Sequence, residues 1–394
     1  MSYTEKRVSY LLMLRDSGLS WVDVADQFNK KFKTNKSQEA LRLRYKREKI
    51  SSDIGHDTVD IDILQHNRSV RKTNFRLRKE ANIALDALTI RSGIMEEIEK
   101  LLDKWHTEPL PKIEPKKTHD SQQSCILELL ISDTHFGAKT KDYNFEVAKK
   151  RIQEVVKVTL FKIQEAEKSY KVDKIIVALL GDIIASYEFH GIASAVAAEA
   201  VTPVQIVHAI EILFWDLIYP LAATGYPIQI PAVCGNHDRV SKDKPMNEPG
   251  NESVSYIIYS TLEMLARNHD MDNVSFIIPH KSYCTVDVFG HNVLIEHGDR
   301  GMAMNRKSAE QKINDRQSQL KDIISFFRFG HFHEYAQYGW GRCIANPSLV
   351  GADGYSDNCG FATEAGQVLS CYVNTKNRSS PFYYSFLISV EDIK

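Results

Sequence analysis

The chain has 394 residues, of which 43% are hydrophobic and 26% are charged, values that are ordinary for a folded globular protein. They exclude wholesale disorder, a collagen-like repeat and a polytopic membrane protein. Fifty basic and 51 acidic residues give a net charge of −1, but the first 50 residues carry +6 and the remainder −7. A basic N-terminal end on a mildly acidic body indicates a contact with nucleic acid.

The first 50 residues predict a small module of three short helices. Gly18 ends the first helix, and Ser20 is a suitable N-cap for the second, in which apolar side chains recur at helical spacing. Ser37 is a suitable N-cap for the third. The later turns of the third helix are basic, as the helix dipole favours, and carry Arg42, Arg44, Lys46 and Arg47.

Residues 51–123 predict a connector. Residues 51–63 are polar and acidic, and residues 64–106 form a helical stretch with a short, interrupted heptad pattern. The rest, with three prolines and several lysines, is typical of an extended tether. Residues 64–106 are either a spacer or a coiled coil that makes a homodimer.

Residues 124–394 predict one layered domain of strands and helices, either α/β or α+β. Short apolar runs such as ILELLIS, KIIVALL and HNVLIE alternate with amphipathic helices. The uncharged run 217–236 is long enough to span a bilayer, but its three prolines and Gly225 predict a helix end, a turn and a strand. We therefore expect no membrane partner.

Compartment is indicated by the cysteines and by the N-terminus. Six cysteines are too few for a disulfide scaffold, and no two have CxxC spacing. The N-terminal MSYTEKRVSY lacks the apolar core of a signal peptide. These features favour the reducing cytoplasm.

Five polar blocks directly follow five of the predicted strands. They are Asp133-Thr134-His135, Gly181-Asp182, Gly235-Asn236-His237-Asp238, His297-Gly298-Asp299 and Gly330-His331-Phe332-His333. Ligand sites in open sheets gather where strands end, so these side chains can form two adjoining metal sites if one carboxylate bridges them. Oxygen and imidazole ligands without a thiolate favour Mn²⁺, Fe or Zn²⁺. Two such cations can hold a phosphoryl oxygen and generate a hydroxide nucleophile.

In this order the five blocks resemble the calcineurin-like metallophosphoesterase superfamily, over about residues 125–375. The resemblance implies an α+β fold, a two-sheet β-sandwich flanked by helices. It also implies two bound divalent metal ions, of which Mn²⁺ is favoured over Fe or Zn²⁺. It implies these ligands: Asp133, His135 and His333 for the first metal, Asn236, His297 and His331 for the second, and Asp182 as the bridge.

The resemblance also implies a general acid. His237 is similar to the family's histidine that contacts the scissile phosphate and protonates the leaving oxygen, and Asp238 would orient it. Arg239 and Arg300 directly follow two ligand blocks, and they are either phosphate contacts or members of surface ion pairs.

One departure from the family pattern bears on the substrate. Double-strand-break repair nucleases of the superfamily carry a second histidine three positions after the bridging aspartate, where this chain has Ala185. Protein phosphatases continue that block with an Asp-Arg pair, which is also missing. The blocks look closer to metallophosphoesterases of phages and prophages, which implies the cytoplasm of a bacterium or of a phage-infected host cell.

The N-terminal module resembles Myb-type or helix-turn-helix DNA-binding domains, through the segment from Gly18 to Ala25 and the basic third helix. The two resemblances together predict a DNA nuclease with DNA as its partner. The alternatives are a cyclic-nucleotide phosphodiesterase or phosphoprotein phosphatase, and a non-catalytic DNA-bound regulator.

Overall fold

The computed structural model describes residues 3–53, 110–116, 123–186, 198–240, 247–352, 364–375 and 379–394. The chain divides into two compact units, Met1–Ile83 and Ala84–Lys394. The connector helices that we predict over residues 64–106 lie outside the described residues, so their role as spacer or dimer element stays a prediction.

The N-terminal unit contains the three predicted helices, α1 (Tyr3–Asp16), α2 (Trp21–Phe32) and α3 (Gln38–Asp53). The Ser20 hydroxyl caps α2 by accepting the amide of Asp23 at 3.2 Å. Leu11, Val24 and Leu41, one from each helix, meet in a small core. The three-helix module ahead of the larger domain is therefore confirmed.

The larger unit contains two sheets. The strands of the first are β1 (Ser124–Ile131), β2 (Lys171–Leu179), β3 (Ile228–Pro231), β4 (Val274–Ile277), β10 (Gly366–Val373) and β11 (Phe382–Ser389). Their order is β11-β10-β1-β2-β3-β4, in which β1 to β4 are parallel and β10 is antiparallel to both of its neighbours. The strands of the second are β5 (Tyr283–Val288), β6 (His291–Glu296), β7 (Ile324–Phe329), β8 (Ala336–Tyr338) and β9 (Cys343–Ala345). Their order is β5-β6-β7-β9-β8.

The larger unit has four layers: helices, the first sheet, the second sheet and a further helix. Side chains that alternate along the strands contact the layers on either side. Leu127 and Leu129 of β1 join one core with the helices α4 (Phe145–Glu167), α5 (Thr202–Ala222) and α6 (Val254–Asn268). Ile126 and Leu130 face the other way, into the core between the two sheets. The outer face of the second sheet packs on α7 (Arg306–Leu320). The α+β two-sheet sandwich flanked by helices is thus confirmed.

The uncharged run forms the end of α5, a turn and β3, as predicted. Among the described helices, α5 alone is long and apolar enough to cross a bilayer. It contains a π-helical turn, Leu213–Ile218. Its buried side chains, including Ile206 and Ile210, pack in the core against the first sheet, as a core helix does.

Candidate metal centre

The five polar blocks meet at one edge of the sandwich. Three of them follow β1, β2 and β3, which are parallel in the first sheet, and two follow β6 and β7, which are parallel in the second. Because the carboxyl ends of parallel strands lie at the same edge of a sheet, residues far apart in sequence converge there.

Asp133, His135 and His333 form the first group of side chains. One ligand atom from each lies within 4.8 Å of the others. The Nε2 atoms of His135 and His333 are 3.1 Å apart, and His333 Nε2 is 3.4 Å from Asp133 Oδ1. These are the three residues predicted to bind the first metal.

Asp182, His297 and His331 form the second group, again with ligand atoms within 4.8 Å of one another. His297 Nε2 lies 3.1 Å from Asp182 Oδ2 and 3.2 Å from Asn236 Oδ1. Asp182 also groups with His135, a member of the first cluster. The carboxylate of Asp182 therefore lies between the two clusters, where a bridging ligand has to be.

Five of these residues adopt the left-handed backbone conformation. Their φ angles are 49° for Asp133, 42° for His135, 51° for Asp182, 72° for His331 and 59° for His333. A residue with a Cβ pays about 1–3 kcal/mol in such a conformation, which persists only where the surrounding structure holds it, and such residues cluster at functional sites. The strain indicates that the strand ends are shaped to aim these side chains inward.

Two glycines of the motifs provide the space for the carboxylates. A Cβ on Gly235 would collide with the side chain and amide of Asp182. A Cβ on Gly330 would collide with the carboxylate of Asp133 and the side chain of Ser132. We conclude that the glycines permit the close approach of neighbouring blocks.

The protonation states at the site follow from burial and from the contacts between carboxylates and imidazoles. Burial and the neighbouring His237 lower the pKa of His135 to about 3, so its imidazole is neutral and offers a lone pair. Burial opposes ionisation of Asp182, but the nearby histidines, His297 first, hold its pKa well below the ordinary value. Burial likewise opposes the charge on His297, yet Asp182 raises its pKa to about 10. His297 would have to lose this proton to bind a divalent cation, which would then supply the positive charge beside Asp182.

The residues fit a pair of divalent metals. The donors are two carboxylates, imidazoles and one amide oxygen, with no thiolate among them, a set that suits Mn²⁺, Fe or Zn²⁺. His297 Nδ1 donates to the carbonyl of Leu180 at 2.8 Å, which leaves Nε2 to face the ligand cluster. Both oxygens of Asp133 accept the amide of His331, at 3.0 and 3.2 Å.

Asp238 does not contact His237 in the way that the sequence predicts. The Nδ1 atom of His237 lies 2.8 Å from the carbonyl of Ala185, which orients the ring. Asp238 is fully buried, and its oxygens accept the backbone amides of Gly235, Asp182 and Ile183 at 2.8–3.2 Å. Asp238 therefore braces the loops around the bridging aspartate, because its side chain points towards their amides; the expectation that it orients His237 is corrected.

The two arginines lie at the margin of the site. Arg239 Nε donates to the carbonyl of Asn236 at 2.7 Å, and Arg300 Nε is 3.8 Å from Asp299 Oδ1. Both are partly exposed. Their phosphate-binding role stays a prediction.

A buried polar network behind Asp133 is missing from the sequence-based interpretation. Gln367 Oε1 accepts the amide of Ser132 at 2.8 Å, and Asn346 donates to the hydroxyl of Ser132 at 2.9 Å. The hydroxyl of Ser348 donates to the carbonyl of Asp133 at 2.9 Å. The only sequence signal is that Asn346 directly follows an apolar segment, β9, which is three residues long.

In the N-terminal unit, the predicted DNA-contacting residues Arg42, Arg44, Lys46 and Arg47 all lie exposed on α3. Arg44 forms an ion pair with Glu48 at 3.1 Å. Trp21 packs beside the small core with its ring centroid 5.6 Å from that of Tyr45.

Comparisons with known proteins find distant likenesses. No protein-family model matches the sequence. The chain is 22% identical to an SPbeta prophage-derived uncharacterized protein, YonJ, of Bacillus subtilis (strain 168), over 93% of this chain and 92% of that one.

Solved structures are similar over two thirds of the chain. Zinc-bound Vps29 from Entamoeba histolytica is 12% identical, with a TM-score of 0.29, and covers 67% of this chain and 98% of its own. A predicted phosphoesterase from Streptococcus pneumoniae TIGR4 is 13% identical, with a TM-score of 0.28 over the same shares. These values are too low to support a conclusion about activity.

Proposed function

We propose that this chain is a dimetal-dependent phosphoesterase of the calcineurin-like type, and that it hydrolyses phosphodiester bonds in DNA. The observation that supports this most directly is the position of Asp182 between two groups of ligand atoms. Structural side chains have no reason to gather four histidines and two carboxylates at one sheet edge on a strained backbone.

Asp133, His135 and His333 would hold one metal and Asn236, His297 and His331 the other, with Asp182 shared. When bound, two divalent cations supply positive charge that activates water and neutralises the phosphoryl oxygens. The contribution of the chain is to fix these ligands through the buried hydrogen bonds behind them, so that little reorganisation accompanies the reaction.

His237 is the proton donor of this proposal. Its Nδ1–H bond to the carbonyl of Ala185 leaves Nε2 facing the pocket formed with His135 and Asp182. As water attacks phosphorus it releases one proton to the solvent, and as the bond to the leaving oxygen breaks, His237 gives its Nε2 proton to that oxygen. Arg239 and Arg300, which directly follow two ligand blocks, would contact the non-bridging phosphate oxygens.

The DNA substrate is supported by charge. The first 50 residues carry a net charge of +6, and four basic side chains are exposed on α3. Such a patch binds the phosphate backbone, which would bring the phosphodiesterase to DNA. The likeness to a prophage protein fits an enzyme that acts on DNA in a bacterial or phage-infected cell, but that relative is itself uncharacterised.

Activity and metal binding are tested with Asp182→Asn and His297→Ala. We expect Mn²⁺-stimulated cleavage of DNA and of bis-p-nitrophenyl phosphate by the wild type, and a loss of about 100-fold or more in either variant, because removing a group that stabilises transition-state charge costs this much. His280→Ala is the control, since His280 is an exposed histidine of a loop. It should retain full activity.

Thermal unfolding provides a second measurement that is independent of turnover. Mn²⁺ at about 100 times its dissociation constant should stabilise the wild type by about 2.7 kcal/mol, and the Asp182→Asn protein much less. If the wild type neither binds nor is stabilised by any divalent metal, the non-catalytic DNA-bound regulator becomes the better interpretation.

A small-substrate enzyme is the second candidate, and Ala185 favours it. Ala185 is fully buried, and in the sequence it stands where the repair nucleases of the resembled superfamily carry their second histidine. A panel of DNA, cyclic nucleotides and phosphopeptides, each with Mn²⁺, Fe²⁺ and Zn²⁺, separates the two candidates. Turnover of bis-p-nitrophenyl phosphate without any cleavage of DNA would contradict the nuclease.

A further inference from the structure

The outer edge of β11, the outermost strand of the first sheet, is suited to pairing with another strand. Within the described part of the chain, its backbone pairs with β10 alone. Its sequence, FYYSFLIS, contains no charged residue and no proline over eight residues. Natural proteins use charges, prolines or short lengths to keep edge strands from pairing, so a long neutral edge is a template for another strand.

Exposed aromatic side chains flank this edge on one side. Trp340 lies in the turn between β8 and β9 and is 93% exposed, with Gly339, Trp340 and Gly341 all in the left-handed conformation. Trp340 and Tyr383 line an open groove of about 680 Å³ together with Phe382 and Ser385. The turn therefore presents an indole ring beside β11.

An exposed ring also lies on the helical side of the strand. Phe161 of α4 is 55% exposed. The ammonium group of Lys162 is 5.6 Å from the Phe161 ring and 5.5 Å from the ring of Phe386, a β11 residue, which places Phe161 beside the strand. Aromatic surface therefore flanks the edge from both layers, a composition that marks protein interfaces.

We propose that β11 pairs with β11 of a second copy of this chain. Two copies of one edge related by a two-fold axis pair antiparallel, so the two six-stranded sheets would join into a single sheet of twelve strands. Such an interface has to complement itself. The strand does so because it has no charge to oppose a like charge across the axis, and its exposed aromatic neighbours meet apolar partners.

The test is the mass of the full chain in solution, measured by light scattering and sedimentation over a range of concentrations. We expect a dimer whose dissociation constant rises at least tenfold in the double variant Trp340→Glu/Tyr383→Glu. Ile323→Glu is the matched control, because Ile323 is 76% exposed and precedes β7 in the other sheet. It should remain dimeric. Circular dichroism and thermal unfolding establish that the variants are folded.

Hydrogen exchange of the wild type adds a measurement that needs no substitution. Backbone amides of residues 382–389 should become more protected as the protein concentration rises through the dissociation constant. A wild type that stays monomeric overturns the proposal, and the edge would then be available to an extended peptide of another protein. A dimer that survives the double substitution, with exchange in β11 independent of concentration, also overturns it and indicates pairing through another surface.

Discussion

Gln205 of α5 holds together three segments around the candidate metal centre. Its side chain is almost fully buried. Its Oε1 accepts the amide of Ser186 at 3.0 Å, and its Nε2 donates to the carbonyl of Ala200 at 2.7 Å. It also packs against Gly137, where a Cβ would collide with it. Since Ser186 follows the residue whose carbonyl orients His237, Gln205 is a positioning residue for that imidazole.

Gln205→Leu removes both hydrogen bonds and should lower kcat by about 10- to 100-fold, since small displacements of reacting groups carry costs of this size. KM and the affinity for Mn²⁺ should change little, because neither ligand cluster is contacted. Gln205→Glu keeps the acceptor for Ser186 and should recover part of kcat. Steady-state kinetics with bis-p-nitrophenyl phosphate measure this.

Gln229→Leu is the control, because Gln229 hydrogen-bonds Lys174 in the sheet, away from the metal centre. If Gln205→Leu lost metal affinity in proportion to kcat, its role would be general structural support and not the positioning of His237.

The sequence predicts which side chains meet at this edge of the sandwich because each polar block directly follows an apolar strand. Residues that act through backbone atoms leave no such mark. Gln367 hydrogen-bonds Ser132, which is 235 residues away in the sequence, and the residues that flank Gln367 form no recognisable motif. Adjacency to His237 in sequence suggested the wrong partner for Asp238, because successive residues in a tight loop point in different directions.

At the level of elements, a buried ion pair joins the two sheets. Arg328 of β7 and Glu128 of β1 are both fully buried, with Nε and Oε2 2.7 Å apart. The hydroxyl of Tyr372 of β10 donates to the same carboxylate at 2.7 Å. The pair holds β1 and β7 together, and both strands end at the candidate metal centre.

Replacing one partner, in Glu128→Leu or Arg328→Met, should destabilise the protein by about 3–5 kcal/mol, because it leaves the other charge buried and unpaired. The double variant should cost clearly less than the sum of the two. Urea unfolding of the four proteins in a double-mutant cycle measures the coupling. Additive losses would mean that the two charges do not depend on each other.

The parallel strands that carry the site follow from their sequences, and several strands at or next to the sheet edges do not. HNVLIE corresponds to β6, and KIIVALL falls almost entirely within β2, because fully buried strands read as continuous apolar runs. The three-residue β8 and β9 are too short to show a period. The position of β10 and β11 beside β1 depends on pairing between strands that are far apart in the sequence, and no local sequence pattern indicates such pairing.

For the whole molecule, we propose that the N-terminal unit binds DNA and that the larger unit hydrolyses the phosphodiester bond. Lys46→Gln/Arg47→Gln should weaken DNA binding and make the slope of log K against log salt shallower by about two, since each phosphate contact contributes about 0.9. Turnover of bis-p-nitrophenyl phosphate should not change. Fluorescence anisotropy with a labelled duplex at several salt concentrations measures the affinity and the slope.

The control for the α3 variant removes two positive charges from another helix of the N-terminal unit. Lys30→Gln/Lys31→Gln alters two basic residues of α2 and lowers the net charge equally. If α3 contacts phosphates, the α2 variant keeps most of the affinity and of the slope, because screened charges away from the contact contribute little. Equal losses in both variants would show that only the overall charge of the unit matters, and α3 would then have no special role in contacting DNA.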